Sequence, residues 1–170
     1  MKRQTINYSG FTLIELLLYL AVAAVILLSA SVFLSLILQS RIKNQTVSEV
    51  DQQGLEAIHI ITKIIRNSSG VTAPIVGSAG SSLILTVPVS AKSPTVFDSS
   101  GGALRIIEGA NGAVALTNNR VIINNLSFTN LSGTSTKDII RVQFILSHIN
   151  PGNRNEYDYQ KTFYSSAERR

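Results

Sequence analysis

The sequence contains no cysteine, which removes disulfides, thiolate nucleophiles, cysteine-ligated metals and cysteine-linked lipid anchors from consideration. A domain outside the cytoplasm would have to hold together by packing alone. Proline is absent before Pro74, and after Gly10 the next glycine is Gly54, so no obvious helix breaker lies between them. The sequence also lacks a Gly-Lys-Ser/Thr phosphate loop, a nucleophile elbow and a His-Glu zinc motif. Its two histidines, His59 and His148, are isolated in sequence and read as a helix-surface and a strand-end residue. No enzyme is expected.

What the sequence does have is one long apolar run. Phe11 to Leu38 is almost wholly hydrophobic over 28 residues, more than the roughly 20 needed to cross a bilayer core. After Arg41 polar and apolar residues mix as they do in a soluble fold. With 170 residues in all, the chain has room for one modest domain plus an extra element. Ser29-Ala30-Ser31 could pass for the cut site of an ordinary secretion signal, but the apolar region of such a signal stops after about 7 to 15 residues. A plain signal anchor fits the hydropathy and leaves Glu15 without a reason. Glu15 is the one charged residue in the run, and a charge at the bilayer centre costs about 2.5 to 3.5 kcal/mol on insertion scales.

Gly10-Phe11-Thr12-Leu13-Ile14-Glu15-Leu16-Leu17 resembles the processing motif of type IV prepilins and pseudopilins: a small residue before the cut, Phe after it, and Glu as the fifth mature residue. The resemblance implies a leader over 1–10, cleavage between Gly10 and Phe11 by a prepilin peptidase, and methylation of the new amine of Phe11. It also implies that Glu15 attracts the amino terminus of a neighbouring subunit and sets the axial register. Removal of Lys2 and Arg3 with the leader would leave 13 basic against 10 acidic residues, a net +3. That is too mild to argue for a nucleic-acid partner. Lys2 and Arg3 before the run are matched by Arg41 and Lys43 after it, so counting positive residues gives a tie. The orientation, leader inside and domain outside the cytoplasm, is therefore what the resemblance implies.

A helix uninterrupted from Phe11 to about Arg66 would be about 80 Å long. Residues 11–40 make its membrane-spanning and assembly part. Residues 41–67 continue it amphipathically, with Val47, Val50, Gly54, Ala57, Ile58, Ile61 and Ile65 at three- and four-residue steps. Many major pilins have a proline in the membrane part. This sequence does not, so a straighter helix is expected. Gln52-Gln53 with the stretch ending at Ile65-Arg66-Asn67, and the ending Lys161 to Arg170, are similar to the larger minor pilins and J-type pseudopilins.

Residues 68–170 read as short strands divided by turn formers. Strands are expected at Leu83–Val89, Ala103–Ile107, Ala113–Leu116, Val121–Leu131, Ile139–His148 and Tyr157–Tyr164, with Pro88 marking an edge or bulge. Asn111-Gly112 is a type I′ hairpin signal. Ile140, Val142, Phe144 and Leu146 alternate with Arg141, Gln143 and Ser147, giving one buried and one wet face. Gly77–Ser82, Ser90–Gly102 and Gly133–Thr136 read as loops. The expected class is α+β, the pilin fold: a long N-terminal helix packed on an antiparallel sheet.

No cofactor is expected. Ca²⁺, which some pseudopilins bind, could find oxygens at Asp98 with Ser99 to Gly102, and at Asp158 near Glu156, but scattered acids fall short of the 6 to 8 oxygens such a site gathers. Arg105, Arg120, Arg141 and Arg154 are the residues a DNA-facing patch would use, and no interleaved aromatics accompany them, so DNA is not expected. The leading expectation is a minor pilin or pseudopilin in the inner membrane, then in a pilus, a type II secretion pseudopilus or a competence filament. Its partners would be other pilin subunits, the peptidase, the assembly platform and lipid. The alternative is a membrane-anchored ligand- or DNA-binding domain that never assembles.

Overall fold

The computed structural model describes residues 10, 12–133 and 137–170. Among these residues one long helix precedes nine strands: α1 (Leu13–Asn67), β1 (Gly70–Ala73), β2 (Ala79–Gly80), β3 (Leu83–Thr86), β4 (Thr95–Ser100), β5 (Ala103–Glu108), β6 (Val114–Ala115), β7 (Val121–Asn130), β8 (Ile139–His148) and β9 (Gln160–Glu168). By their contacts the residues form two compact units, one ending at Arg41 and one running from Ile42 to Arg170.

Helix α1 begins where the first polar side chain can cap it. The Thr12 hydroxyl accepts the Glu15 amide at 3.3 Å, and the Thr12 carbonyl accepts the amides of Glu15 and Leu16 at 3.1 and 3.2 Å. Donors that would otherwise be orphaned in the first turn are thereby satisfied. At the other end the amide and hydroxyl of Ser68 both donate to the Ile65 carbonyl, at 3.2 and 2.8 Å. The Ser69 amide then donates to the Thr86 carbonyl and leads the chain into β1.

From Ile42 onward α1 has a buried face made of Thr46, Val50, Gly54, Ala57, Ile61, Thr62 and Ile65. Their spacing follows the helical repeat, and the expected Val47 and Ile58 flank this stripe, half-buried. Gly54 lies where the helix meets β9. A Cβ at this position would stand 2.1 Å from the Phe163 ring, and that ring is stacked on Phe144 with centroids 5.6 Å apart. Glycine costs helix propensity here, and the close packing of Phe163 is what it permits.

The β-rich part is antiparallel, as expected, but it forms two sheets, ordered β1-β3-β4-β5-β6 and β2-β7-β8-β9. One core joins Val50, Ala57, Ile61 and Ile65 of α1 to Leu83, Leu85, Phe97 and Leu104 of the first sheet and to Phe128, Ile140, Val142, Phe144 and Leu146 of the second. The alternation along β8 holds: Ile140, Val142, Phe144 and Leu146 are fully buried, and Arg141 and Gln143 are exposed. In β7 the buried positions are Val121 and Ile123, then Leu126, Phe128 and Asn130. The phase slips because a bulge lies between Asn124 and Ser127, with Asn125 left-handed at φ 51°. One extra residue returns the apolar side chains to the core face.

Several sequence expectations are corrected. Strand β4 runs through Thr95–Ser100, inside a stretch read as a loop. Its polar Asp98 pairs directly across from Arg105, which makes the residue compatible with a strand. The tight hairpin turn falls at Gly101-Gly102, whose φ values of +60° and +78° supply the two left-handed positions a type I′ turn needs between paired Ser100 and Ala103. The hairpin expected around Asn111-Gly112 is present, β5 pairing antiparallel with β6, but its turn is not type I′. The turn after β5 closes between Glu108 and Asn111 with Gly109 at φ +59°. Strand β3 ends at Thr86, so Pro88 falls outside it, and the final strand is Gln160–Glu168, not Tyr157–Tyr164. Its register is set by β8, which places Phe163 opposite Phe144. Strands β1 and β2 were not expected. The expected loop at Gly133–Thr136 reaches residues 134–136, outside the described ones.

Candidate functional site

The first turn of α1 brings together three side chains of one short stretch. Thr12 caps the helix, Glu15 is the third residue within it, and Tyr19 stands one turn further on. An acid in the first turn is favoured by the positive end of the helix dipole. Glu15 is half-buried, whereas Leu13, Ile14, Leu16 and Leu17 beside it are exposed. The Tyr19 hydroxyl donates to Glu15 Oε1 at 3.3 Å. Helical side chains lean toward the N-terminus, so a long residue at i+4 reaches back to the residue at i.

Beyond this turn the helix presents apolar side chains on every side. Leu20 is 64% exposed and Leu27 68%. An 18-residue stretch of α1 is long and apolar enough to cross a membrane, and none of it is buried within the fold. The polar atoms in it are satisfied locally, since the hydroxyls of Ser29 and Ser31 donate to the carbonyls of Val25 and Leu27 at 2.8 Å each. Such back-bonding suits a helix surrounded by hydrocarbon. Gly10 is exposed, and nothing would crowd a Cβ placed on it. Phe11 and residues 1–9 lie outside the described residues.

Residues 6–31 match the family described as the prokaryotic N-terminal methylation motif. This chain carries a type IV pilin signature. The match covers Gly10, Phe11, Glu15 and Tyr19, and it gives way to unmatched sequence well before the amphipathic half of α1. In the pilin-like chain the matched residues that lie in α1, Leu13 to Ser31, belong to a part of the helix with no fully buried residue. No curated protein and no solved structure matches the chain.

A second cluster, in the Ile42–Arg170 unit, was not legible in the sequence. Glu49 of α1 accepts from Asn118 Nδ2 at 2.8 Å, with Arg120 at 3.5 Å and His148 Nε2 at 3.7 Å. His148 stacks on Tyr157 with centroids 5.5 Å apart, and its Nδ1 is 2.9 Å from the Ile149 carbonyl. Glu49, Arg120, His148 and Tyr157 line a cleft of about 370 Å³, with Thr46 also in its wall. His148 does end a strand as expected, but folding places it beside a carboxylate about a hundred residues away in the chain. Among the described residues no Ser, Thr or Lys side chain is hydrogen-bonded to His148. Its visible work is to tie α1 to the segment before β7 and to the end of β8.

Most of the other acids and arginines singled out in the sequence are engaged. Both oxygens of Asp98 accept from Arg105, at 2.9 and 2.8 Å, and that bond, more than the bare attraction, holds the Arg105 guanidinium above its ordinary pKa. Glu156 pairs with Arg154. A hydrogen bond from its own backbone amide, reinforced by Arg154, holds its carboxyl below the usual range. Lys43 donates to the carbonyls of Asn155 and Asp158 at 3.1 and 2.5 Å, and Lys161 to Asp51 at 3.0 Å, the latter raising the lysine pKa. Among the described residues no group of three or more His, Asp or Glu could hold a metal ion. With Arg105, Arg120 and Arg154 each facing a carboxylate, only Arg141 of the four arginines considered for DNA has no ion pair among the described residues.

Proposed function

We propose that this chain is a structural subunit, a minor pilin or pseudopilin, of a type IV pilus, a type II secretion pseudopilus or a competence filament, working without catalysis and without a bound cofactor. It is made as a precursor in the inner membrane, with the β-rich unit outside the cytoplasm. A prepilin peptidase cuts between Gly10 and Phe11 and methylates the amine of Phe11. The assembly platform then draws the subunit from the bilayer into a filament, where α1 packs against the helices of other subunits. Glu15 pairs with the amino terminus of a neighbour and sets the register. Leu against lipid has no preferred position along the helix axis, whereas a paired charge in low dielectric does.

The observation that carries this reading is the methylation motif over residues 6–31 together with an apolar run, Phe11 to Leu38, whose one acid is Glu15, on a helix whose membrane-length stretch is not buried within the fold. The membrane alone would account for the apolar surface and would give no reason for the acid. The test is N-terminal sequencing and mass measurement of the chain from cells that carry the peptidase and its filament machinery. A mature protein starting with N-methylated Phe11 is expected, and a working molecule that still begins with Met1 overturns the reading in favour of an anchored domain. A Gly10→Ala/Phe11→Asp chain should accumulate uncut. Glu15→Val should be cut normally and yet enter filaments poorly.

A further inference from the structure

Thr12-Leu13-Ile14-Glu15 has the residue pattern of a helix capping box, in which the first hydroxyl takes the amide three residues on and the acid reaches back to the first amide. Only half of the box is made here. The Thr12 hydroxyl takes the Glu15 amide at 3.3 Å. The Glu15 carboxylate, among the described residues, accepts instead from Tyr19 one turn further along. A carboxylate folded back on its own N-terminus would satisfy that end of the helix and be unavailable to another subunit. One drawn toward Tyr19 keeps its second oxygen free.

We propose that Tyr19 is a positioning residue for assembly: its hydroxyl holds the Glu15 carboxylate away from the self-capping position and directed toward an ammonium group on a second copy of this chain or on a similar subunit. This inference rests on the register role given to Glu15 above. Its chemistry is that of an uncharged donor. A hydroxyl steadies a carboxylate in apolar surroundings without neutralising it, so the charge remains for the incoming amine. A lysine at the same place would close the ion pair within one chain and leave nothing to bind. The competing account of Tyr19 is that of an interfacial aromatic, which needs its ring and hydroxyl at a certain depth but on no particular side of the helix.

The two accounts separate by moving the hydroxyl. Tyr19→Phe in the full chain should be cut and methylated as wild type, while the share of cut subunits recovered in sheared filaments falls about fivefold. Adding Leu18→Tyr to Tyr19→Phe puts a phenol at i+3, on the Glu15 side, and should restore recovery to within about twofold. Adding Leu20→Tyr to Tyr19→Phe puts a phenol at nearly the same depth but at i+5, out of reach of Glu15, and should leave recovery low. Wild-type recovery for Tyr19→Phe overturns the inference, as does equal rescue by Leu20→Tyr or a loss of cleavage in Tyr19→Phe. Glu15→Val, run in parallel, tests the underlying reading separately: if it enters filaments as well as wild type, the register role itself fails, whatever Tyr19 does.

Discussion

Helix α1 is one continuous element that obeys two different rules. Up to Leu38 it is apolar on all sides apart from Glu15, and it buries none of its membrane-length stretch within the fold. From Ile42 it buries one stripe, Thr46 to Ile65, and turns polar residues such as Gln52, Glu56 and Lys63 outward. Helical propensity is adequate throughout, so the difference lies in what satisfies the side chains. The second half finds its apolar partners in its own chain. The first half must find them elsewhere, in lipid or in other subunits. A helix that is hydrophobic all round thus points outside its own molecule, and a striped one points inward.

If the two regions are independent in this sense, damage to one should spare the other. The largest effect is expected from Phe144→Ala, which removes a fully buried ring packed on Phe163. Melting of the full chain in detergent, followed by circular dichroism, should show a loss of about 3–5 kcal/mol. Membrane integration, measured by carbonate extraction, should not change. Next comes Leu27→Lys, in the middle of the apolar run and exposed in the fold. It should cost about 3 kcal/mol of insertion and lower the membrane-integrated fraction, with the melting transition unmoved. A fall in both readouts from either substitution would mean that the regions are coupled.

Smaller effects sharpen the contrast within α1. In an exposed helix Gly→Ala stabilises by nearly 1 kcal/mol. At Gly54 the new methyl group would collide with the Phe163 ring, and overpacking of this kind typically costs about 1–3 kcal/mol. Gly54→Ala should therefore destabilise, and a rise in melting temperature would show that Phe163 can move aside. The smallest effect is an acid dependence confined to the Ile42–Arg170 unit. Because the Glu156 carboxyl is held below its usual pKa, its contribution to stability is complete above the ordinary glutamate range and is lost as the pH falls through the lowered folded value. Glu156→Gln should accordingly narrow the difference in melting temperature between about pH 7 and about pH 3. An unchanged difference would remove Glu156 from the acid response.

How much was legible in advance follows from which signals are local. The helix, its amphipathic second half and the alternating strand β8 are written in periodicity, and the structure keeps them nearly to the residue. The hairpin around Asn111-Gly112 was legible, since β5 pairs with β6, but its left-handed residue is Gly109. The tight turn at Gly101-Gly102 was not, because it depends on the pairing Ser100↔Ala103. Strand β4 was hidden because Asp98, Ser99 and Ser100 do not look like strand residues until Arg105 lies opposite Asp98. The Glu49–His148 contact joins helix and strand across about a hundred residues of chain, and no spacing rule announces such a pair.

By itself the sequence determined the features that depend on a few neighbouring residues and on the solvent they require: a helix without breakers, an apolar run long enough for a bilayer, one acid within it, and a small residue before Phe11. These are properties of transfer and of local backbone preference, and they need no knowledge of the rest of the chain. Tertiary structure alone decided that the strands divide into two sheets, that β7 bulges at Asn125, and that Gly54 lies under Phe163. Each of these outcomes is a competition between alternative partners, and composition cannot rank partners whose distances it does not contain.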